Sequence, residues 1–138
     1  MNDRRQMLSM MGAAILAAKP AAGEMTSETF IKGRKQAMHR ETSFGHVYMY
    51  HQGETGQSKL LETLQVWVDP GKSPHPPHKH PEEEILVVLE GEGEFVVNGE
   101  ATKFSAGSML YAAPGDLHNF TNTGSERLVV HVFKWGPK

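Results

Sequence analysis

Apolar and β-favouring runs alternate with turn residues at short intervals from His46 to the last residues of the chain, the pattern of an all-β domain. Candidate strands lie near residues 46–51, 60–69, 84–90, 93–98, 101–104, 108–113, 117–122 and 127–134. Between them stand Gln52-Gly53-Glu54-Thr55-Gly56, Asp69-Pro70-Gly71, Asn98-Gly99 and Asn122-Thr123-Gly124, where glycine and asparagine accept the positive φ that tight turns demand. Asn98-Gly99 is the strongest hairpin signal of the four. No internal repeat or interior linker breaks the pattern, so a single sandwich or barrel is expected.

Two of the runs are apolar on both faces. Ile85 to Leu89 has no polar residue, and Leu128 to Phe133 is interrupted only by His131. A strand with one solvated face would alternate. The outer faces of these strands therefore need a cover, supplied by the opposing sheet and the N-terminal segment or by a second subunit, and a homodimer is expected. Strand parity places Glu84, Leu86 and Val88 on one side together, and His118 with Phe120.

Ahead of the strands the chain changes character twice. Residues 24–40 are polar and weakly patterned; Ser27 is placed to cap a short helix through Phe30 and Ile31, which Gly33 weakens. Residues 24–45 are accordingly expected to form a connector or strap, with the barrel occupying 46–138. Residues 1–23 carry Arg4-Arg5, an apolar stretch from Met7 to Ala18 interrupted by Ser9 and Gly12, then Lys19 and small residues. That stretch is shorter than the roughly 20 residues that cross a bilayer, so it reads as an export signal rather than a span. The arginine pair before a moderately apolar core resembles a twin-arginine signal. It implies a folded, metal-loaded protein delivered to the periplasm, with cleavage near Ala22 or Gly23. The alternative is an N-terminal tail on a cytoplasmic protein.

Composition narrows the function. A chain of 138 residues is about one domain. Its formal charge of −2, from 14 basic and 16 acidic residues, offers no basic stripe for phosphates, and nucleic acid is not an expected partner. There is no cysteine, which removes disulfides, thiolate nucleophiles and thiolate metal ligands.

Histidine and glutamate carry the candidate chemistry. In the stretch from His75 to Gly91, His78, His80 and Glu84 share parity and can turn toward one divalent ion, and His118 heads another apolar strand. Glu83 is the fallback ligand if the register slips by one. His75, ahead of Pro76-Pro77, reads as loop or pocket rim. His39, His46 and His51 have no visible partner and read as surface or satisfied core groups. His131 needs a hydrogen-bond partner if buried between valines, and either lines the barrel or plays a structural part.

These residues resemble the two short motifs of the cupins, small β-barrels built around a metal. The first motif resembles Gly71, then His78-Lys79-His80, Glu84 and, after six residues, Gly91; the second resembles Gly107, Gly115, His118 and Asn122. The spacer from Gly71 to His78 is one residue longer than usual, and Pro114 stands one place late. The resemblance covers residues 60 to 135 and implies His78, His80, Glu84 and His118 as metal ligands, with Gly91, Gly107 and Asn122 as turn and scaffold positions.

Three histidines and a carboxylate leave two positions of an octahedral ion free, which suits iron or manganese best, with nickel, copper and zinc also compatible. The expected function is metal-dependent catalysis on a small oxygen-rich organic substrate, by an oxygenase or by a decarboxylase, lyase or isomerase. The alternative is a non-catalytic binding or sensing module in the cell envelope. Apolar walls from Leu86, Val88 and Phe120 predict a small, largely hydrophobic cavity, to which Tyr111 and Trp67 add aromatic surface or a polar tip. His131, Tyr111, His75 and the glutamates near the rim are the acid–base groups available by type.

Overall fold

The computed structural model describes residues 28–138; the expected export signal and Ser27 lie outside the described residues. Nine strands and no α-helix are found among the described residues: β1 (Met38–Thr42), β2 (Gly45–Gly53), β3 (Ser58–Val68), β4 (Glu83–Glu90), β5 (Glu92–Val97), β6 (Glu100–Ser105), β7 (Met109–Ala112), β8 (His118–Asn122) and β9 (Leu128–Pro137). Eight of them fall on the runs expected from the hydrophobic pattern. The ninth, β1, lies inside the segment expected to be a connector. Its sequence, Met-His-Arg-Glu-Thr, is exposed at its first four positions and shows no apolar pattern. Backbone pairing along the edge of β2 holds it, from Met38 opposite Met49 to Thr42 opposite Gly45.

The expected helix through Phe30 and Ile31 does not form. Residues 28–33 carry no helix, and only a single 3₁₀ turn follows at Arg34–Gln36. Tertiary contacts draw this segment along β2 instead: Lys32 Nζ donates to the Tyr50 carbonyl at 2.7 Å, and Phe30 stacks on His51 at 5.8 Å.

Two sheets face each other, one of six strands in the order β1-β2-β3-β9-β4-β7 and one of three in the order β6-β5-β8. Their inner faces meet in one core of Val66, Val68, Leu86, Val88, Phe95, Phe104, Phe120, Leu128, Val130 and Val132. Parity worked as expected here, since Glu84, Leu86 and Val88 are buried on alternate positions of β4, and His118, Phe120 and Asn122 on those of β8.

Turn chemistry places the strands. Asn98 and Gly99 have φ of 49° and 85° and close a two-residue hairpin between Val97 and Glu100, the twist-matched turn that such a pair favours. Gly91 turns the chain from β4 to β5 at φ 86°, and a Cβ there would stand 2.7 Å from the Arg127 carbonyl oxygen. Both the left-handed conformation and the close approach require glycine at that position.

Candidate metal centre

The loop between β3 and β4 is zipped onto β8, and this brings the ligand residues together. Gly71 N donates to Asn122 O and Asn122 N to Lys72 O, each at 2.9 Å, and Ser73 Oγ donates to Phe120 O at 2.6 Å. His78 and His118 then exchange backbone hydrogen bonds of 3.0 and 2.8 Å. Gly115 N donates to His80 O at 2.9 Å, tying the second histidine to the turn before β8. The Asn98 side chain secures that turn from the hairpin, donating to Asp116 Oδ1 and accepting from Leu117 N, both at 3.0 Å.

His78, His80, Glu84 and His118 each present one ligand atom, all within 4.8 Å of one another. That is close to the span of about 4 Å that two bonds of ~2.1 Å allow across one ion. His80 Nδ1 lies 3.1 Å from the Glu82 carbonyl and His118 Nδ1 2.9 Å from the Asp116 carbonyl. A carbonyl only accepts, so each Nδ1 carries a hydrogen and each Nε2 turns inward. The two Nε2 atoms lie 2.7 and 3.1 Å from the same Glu84 Oε2, and the buried His78 Nε2 has no hydrogen-bond partner. Lone pairs gathered on lone pairs are unfavourable without a proton or cation among them. The residues fit a divalent ion.

Electrostatics agree. His78 is pushed down to about 4, by burial first and then by the neighbouring His75 and His118 rings, which leaves its Nε2 lone pair free at neutral pH. Burial alone would raise Glu84, but hydrogen bonds with His118 and His80 outweigh it and hold the carboxyl below its ordinary value. His118 is raised, chiefly by its hydrogen bond to Glu84 and against its own desolvation. A cation competes with protons for the same donor atoms, and raising His118 favours the proton. The affinity for manganese(II) is therefore expected to fall as pH is lowered, with protons released on binding. Calorimetry in buffers of different ionisation enthalpy measures that release, and an affinity that does not change as the histidines are protonated would contradict the four-ligand cluster.

The cluster opens onto a cavity of about 320 Å³, lined by His75, His78, Glu84, Phe120, Val66 and Leu64 among others. Its walls are not mainly apolar as expected, because Glu62 and Lys134 on the inner face of the large sheet line it, with Gln52 and Arg40. His75 also lines it, stacked 3.7 Å from His78 and shifted down by burial. Sequence reasoning missed Glu62, Lys134, Gln52 and Arg40. Lys134 shares the parity of Val130 and Val132, and that was the available signal for it.

Other expected groups sit elsewhere. His131 faces outward, 2.7 Å from Thr63 Oγ1 and stacked on Phe133, and burial lowers its pKa. Tyr111 also points outward and donates to Glu83 Oε1 at 2.8 Å, so Glu83 is no ligand; the same bond raises the Tyr111 phenol. Trp67 lies on the outer face under Arg34 and Arg127. His39 and His46 contact each other through ring nitrogens at 3.0 Å, outside the cavity.

The model of the cupin domain family matches residues 65–134. Among solved structures, a predicted oxalate decarboxylase from Thermotoga maritima is 26% identical, covering 77% of this chain and 98% of its own, with a TM-score of 0.61. A Cupin 2 conserved barrel domain protein from Salinispora arenicola is 25% identical over 79% of this chain and 90% of its own, with a TM-score of 0.62. An RmlC-like cupin from Shewanella frigidimarina shares the fold at 22% identity and a TM-score of 0.64, over 83% of this chain and 95% of its own. No match was found among the curated proteins. With the zipped loop, the inward-facing histidines and the matched strands in agreement, the chain belongs to the cupin domain family.

Proposed function

We propose that this cupin is a metal-dependent enzyme acting on a small oxygen-rich organic substrate, as an oxygenase or as a decarboxylase, lyase or isomerase. The observation that carries this reading is the opening of the ligand cluster onto the cavity, which His78 and Glu84 both line. An ion held by His78, His80, Glu84 and His118 supplies polarisation of a substrate oxygen or access to dioxygen; iron(II) or manganese(II) suits the nitrogen and oxygen donors best. The chain itself binds and orients the substrate between Phe120 and the inner face of the large sheet, where Leu64, Val66 and Val132 give apolar contact and Glu62 and Lys134 polar contact. His75 is the one acid–base group expected from the sequence that lines the cavity apart from the Glu84 ligand. The Thermotoga maritima protein supports decarboxylation as one candidate reaction.

The test is a panel of small keto and hydroxy acids offered to the iron- or manganese-loaded protein, followed by oxygen uptake, carbon dioxide release and proton NMR. Turnover that disappears on chelation supports the reading. Tight binding of a panel member with no chemistry in any assay would move the assignment to the non-catalytic binding or sensing module.

Two further expectations belong to the same reading. Met109, Tyr111 and Phe133 on the outer face are 63%, 46% and 38% exposed, and no described segment covers them. We infer a homodimer through this face, which sedimentation would detect and a monomer at micromolar concentration would refute. Export by the twin-arginine route rests on Arg4-Arg5 and the apolar stretch after it. A reporter fusion whose export survives Arg4-Arg5 becoming Lys-Lys would end that proposal.

A further inference from the structure

We propose that the cavity takes a small polyhydroxy acid, with its acid end at the metal centre and its distal hydroxyls held by Gln52, Glu62 and Lys134. The proposal rests on the metal-site reading above and names the substrate class for it. Its basis is a row of cross-strand neighbours. Glu84 on β4 stands opposite Lys134 on β9, Lys134 opposite Glu62 on β3, and Glu62 opposite Gln52 on β2. Directly opposed residues share a face and lie about 5 Å apart at Cβ. Glu84, of the candidate metal cluster, is thus the first member of a four-residue polar row on the inner face. The next row inward is apolar, formed by Leu86, Val132, Leu64 and Met49.

The members of the row are bonded to one another. Lys134 Nζ lies 3.1 Å from Glu62 Oε1, and Gln52 Nε2 donates to Glu62 Oε2 at 2.6 Å. The Glu62 and Lys134 side chains are 12% and 23% exposed, while Gln52 stands at the exposed rim. A mostly buried ion pair is a poor route to stability, because desolvation offsets much of the attraction. Its position inside a cavity next to the cluster gives it a second use, binding.

The chemistry of the row selects its ligand. Glu62 neutralises Lys134, so the row is no trap for a second full charge. It presents a carboxylate acceptor beside ammonium and amide donors, and a hydroxyl group is the small group that can donate to the first and accept from the others. Arg40, which lines the same cavity, adds positive charge toward an acid. The volume of about 320 Å³ is at the small end of ligand pockets and suits an acid of a few carbons.

The test compares two acids that chelate alike but differ in distal hydroxyls: threonate and 2-hydroxybutyrate, titrated calorimetrically into manganese(II)-loaded protein. Threonate is expected to bind roughly tenfold more tightly or better, the effect of one hydrogen bond to a charged group. In the Glu62→Leu/Lys134→Met variant, which removes both charges at similar volume, that preference is expected to vanish while 2-hydroxybutyrate affinity persists. Gln52→Leu, an exposed change that cannot unfold the barrel, should reduce the preference several-fold. A wild type that does not prefer threonate, or variants that keep the preference, would show that the row only ties the strands together and would overturn the proposal. Manganese binding without binding of either acid overturns the substrate class and leaves the metal site standing. Failure to bind manganese overturns both readings.

Discussion

Replacing His78 by alanine is expected to weaken divalent-ion binding by more than about 100-fold and to leave thermal unfolding of the metal-free protein almost unchanged. Partners outside the ligand shell alone typically account for 10–100-fold in affinity, so loss of a ligand exceeds that. The fold has little to lose at this position. The His78 side chain is partly buried, its Nε2 makes no hydrogen bond, and the loop is held by the backbone bonds between residues 78 and 118, which alanine retains. His118 is a less clean probe. It is 2% exposed and bonded to Glu84, so its removal strips a partner from a buried carboxylate as well as a ligand from the ion. Elemental analysis of purified His78→Ala beside the wild type, with a circular dichroism melt of each, makes the measurement. Full metal content in the variant would contradict the four-ligand centre. A wild type whose melting temperature collapses on chelation would instead mark the ion as a staple of the barrel.

Asn122→Leu is expected to produce the largest loss of stability of any single polar substitution considered. Asn122 is fully buried at the end of β8 and its amide serves three backbone groups: Nδ2 donates to Val68 O at 2.9 Å and Glu126 O at 2.8 Å, while Oδ1 accepts from Gly124 N at 2.9 Å. Leucine preserves much of the volume and satisfies none of them. Leaving a buried partner unpaired costs about 1–3 kcal/mol, so the total is on the order of 3 kcal/mol or more and the melting temperature should fall by about 10 °C. Metal affinity should fall less than stability, because the bonds that tie the start of the loop carrying His78 and His80 to position 122, from Gly71 N and to Lys72 O, are made by the main chain and leucine retains them. A melting temperature within a degree or two of the wild type would mean that water satisfies the three groups and that the scaffold role is misassigned.

Much of the barrel was legible along the chain because burial on strands has a period of two. Eight strands were located from runs such as Ile85 to Leu89, and Asn98-Gly99 announced the hairpin from its own conformational preference. The candidate cluster was legible for the same reason, since His78, His80 and Glu84 share parity and Glu84 faces inward while Glu83 faces out to Tyr111. Strand β1 was not legible. Four of its five residues are exposed, and its place comes from hydrogen bonds to β2 that leave no mark on side-chain pattern. The short helix expected through Phe30 and Ile31 does not form; both side chains are exposed, so no apolar face is buried there to stabilise a helix that Gly33 already weakens.

The sequence by itself determined the all-β class, the turns and the residue types of the candidate metal cluster, since each depends on local geometry or on side-chain type. The tertiary structure decided what surrounds them. His131 and Tyr111, candidates by type, turned out to belong to the outer face, whereas Glu62 and Lys134 joined the cavity through the pairing of β3, β9 and β4. Gln52 is the plainest case. Counting in twos from Met49 would place it outside, but the register of β2 shifts between Met49 and His51, and that irregularity returns Gln52 to the inner face opposite Glu62. Parity is a property of one strand, whereas register is a relation between two, and only the folded sheet contains it.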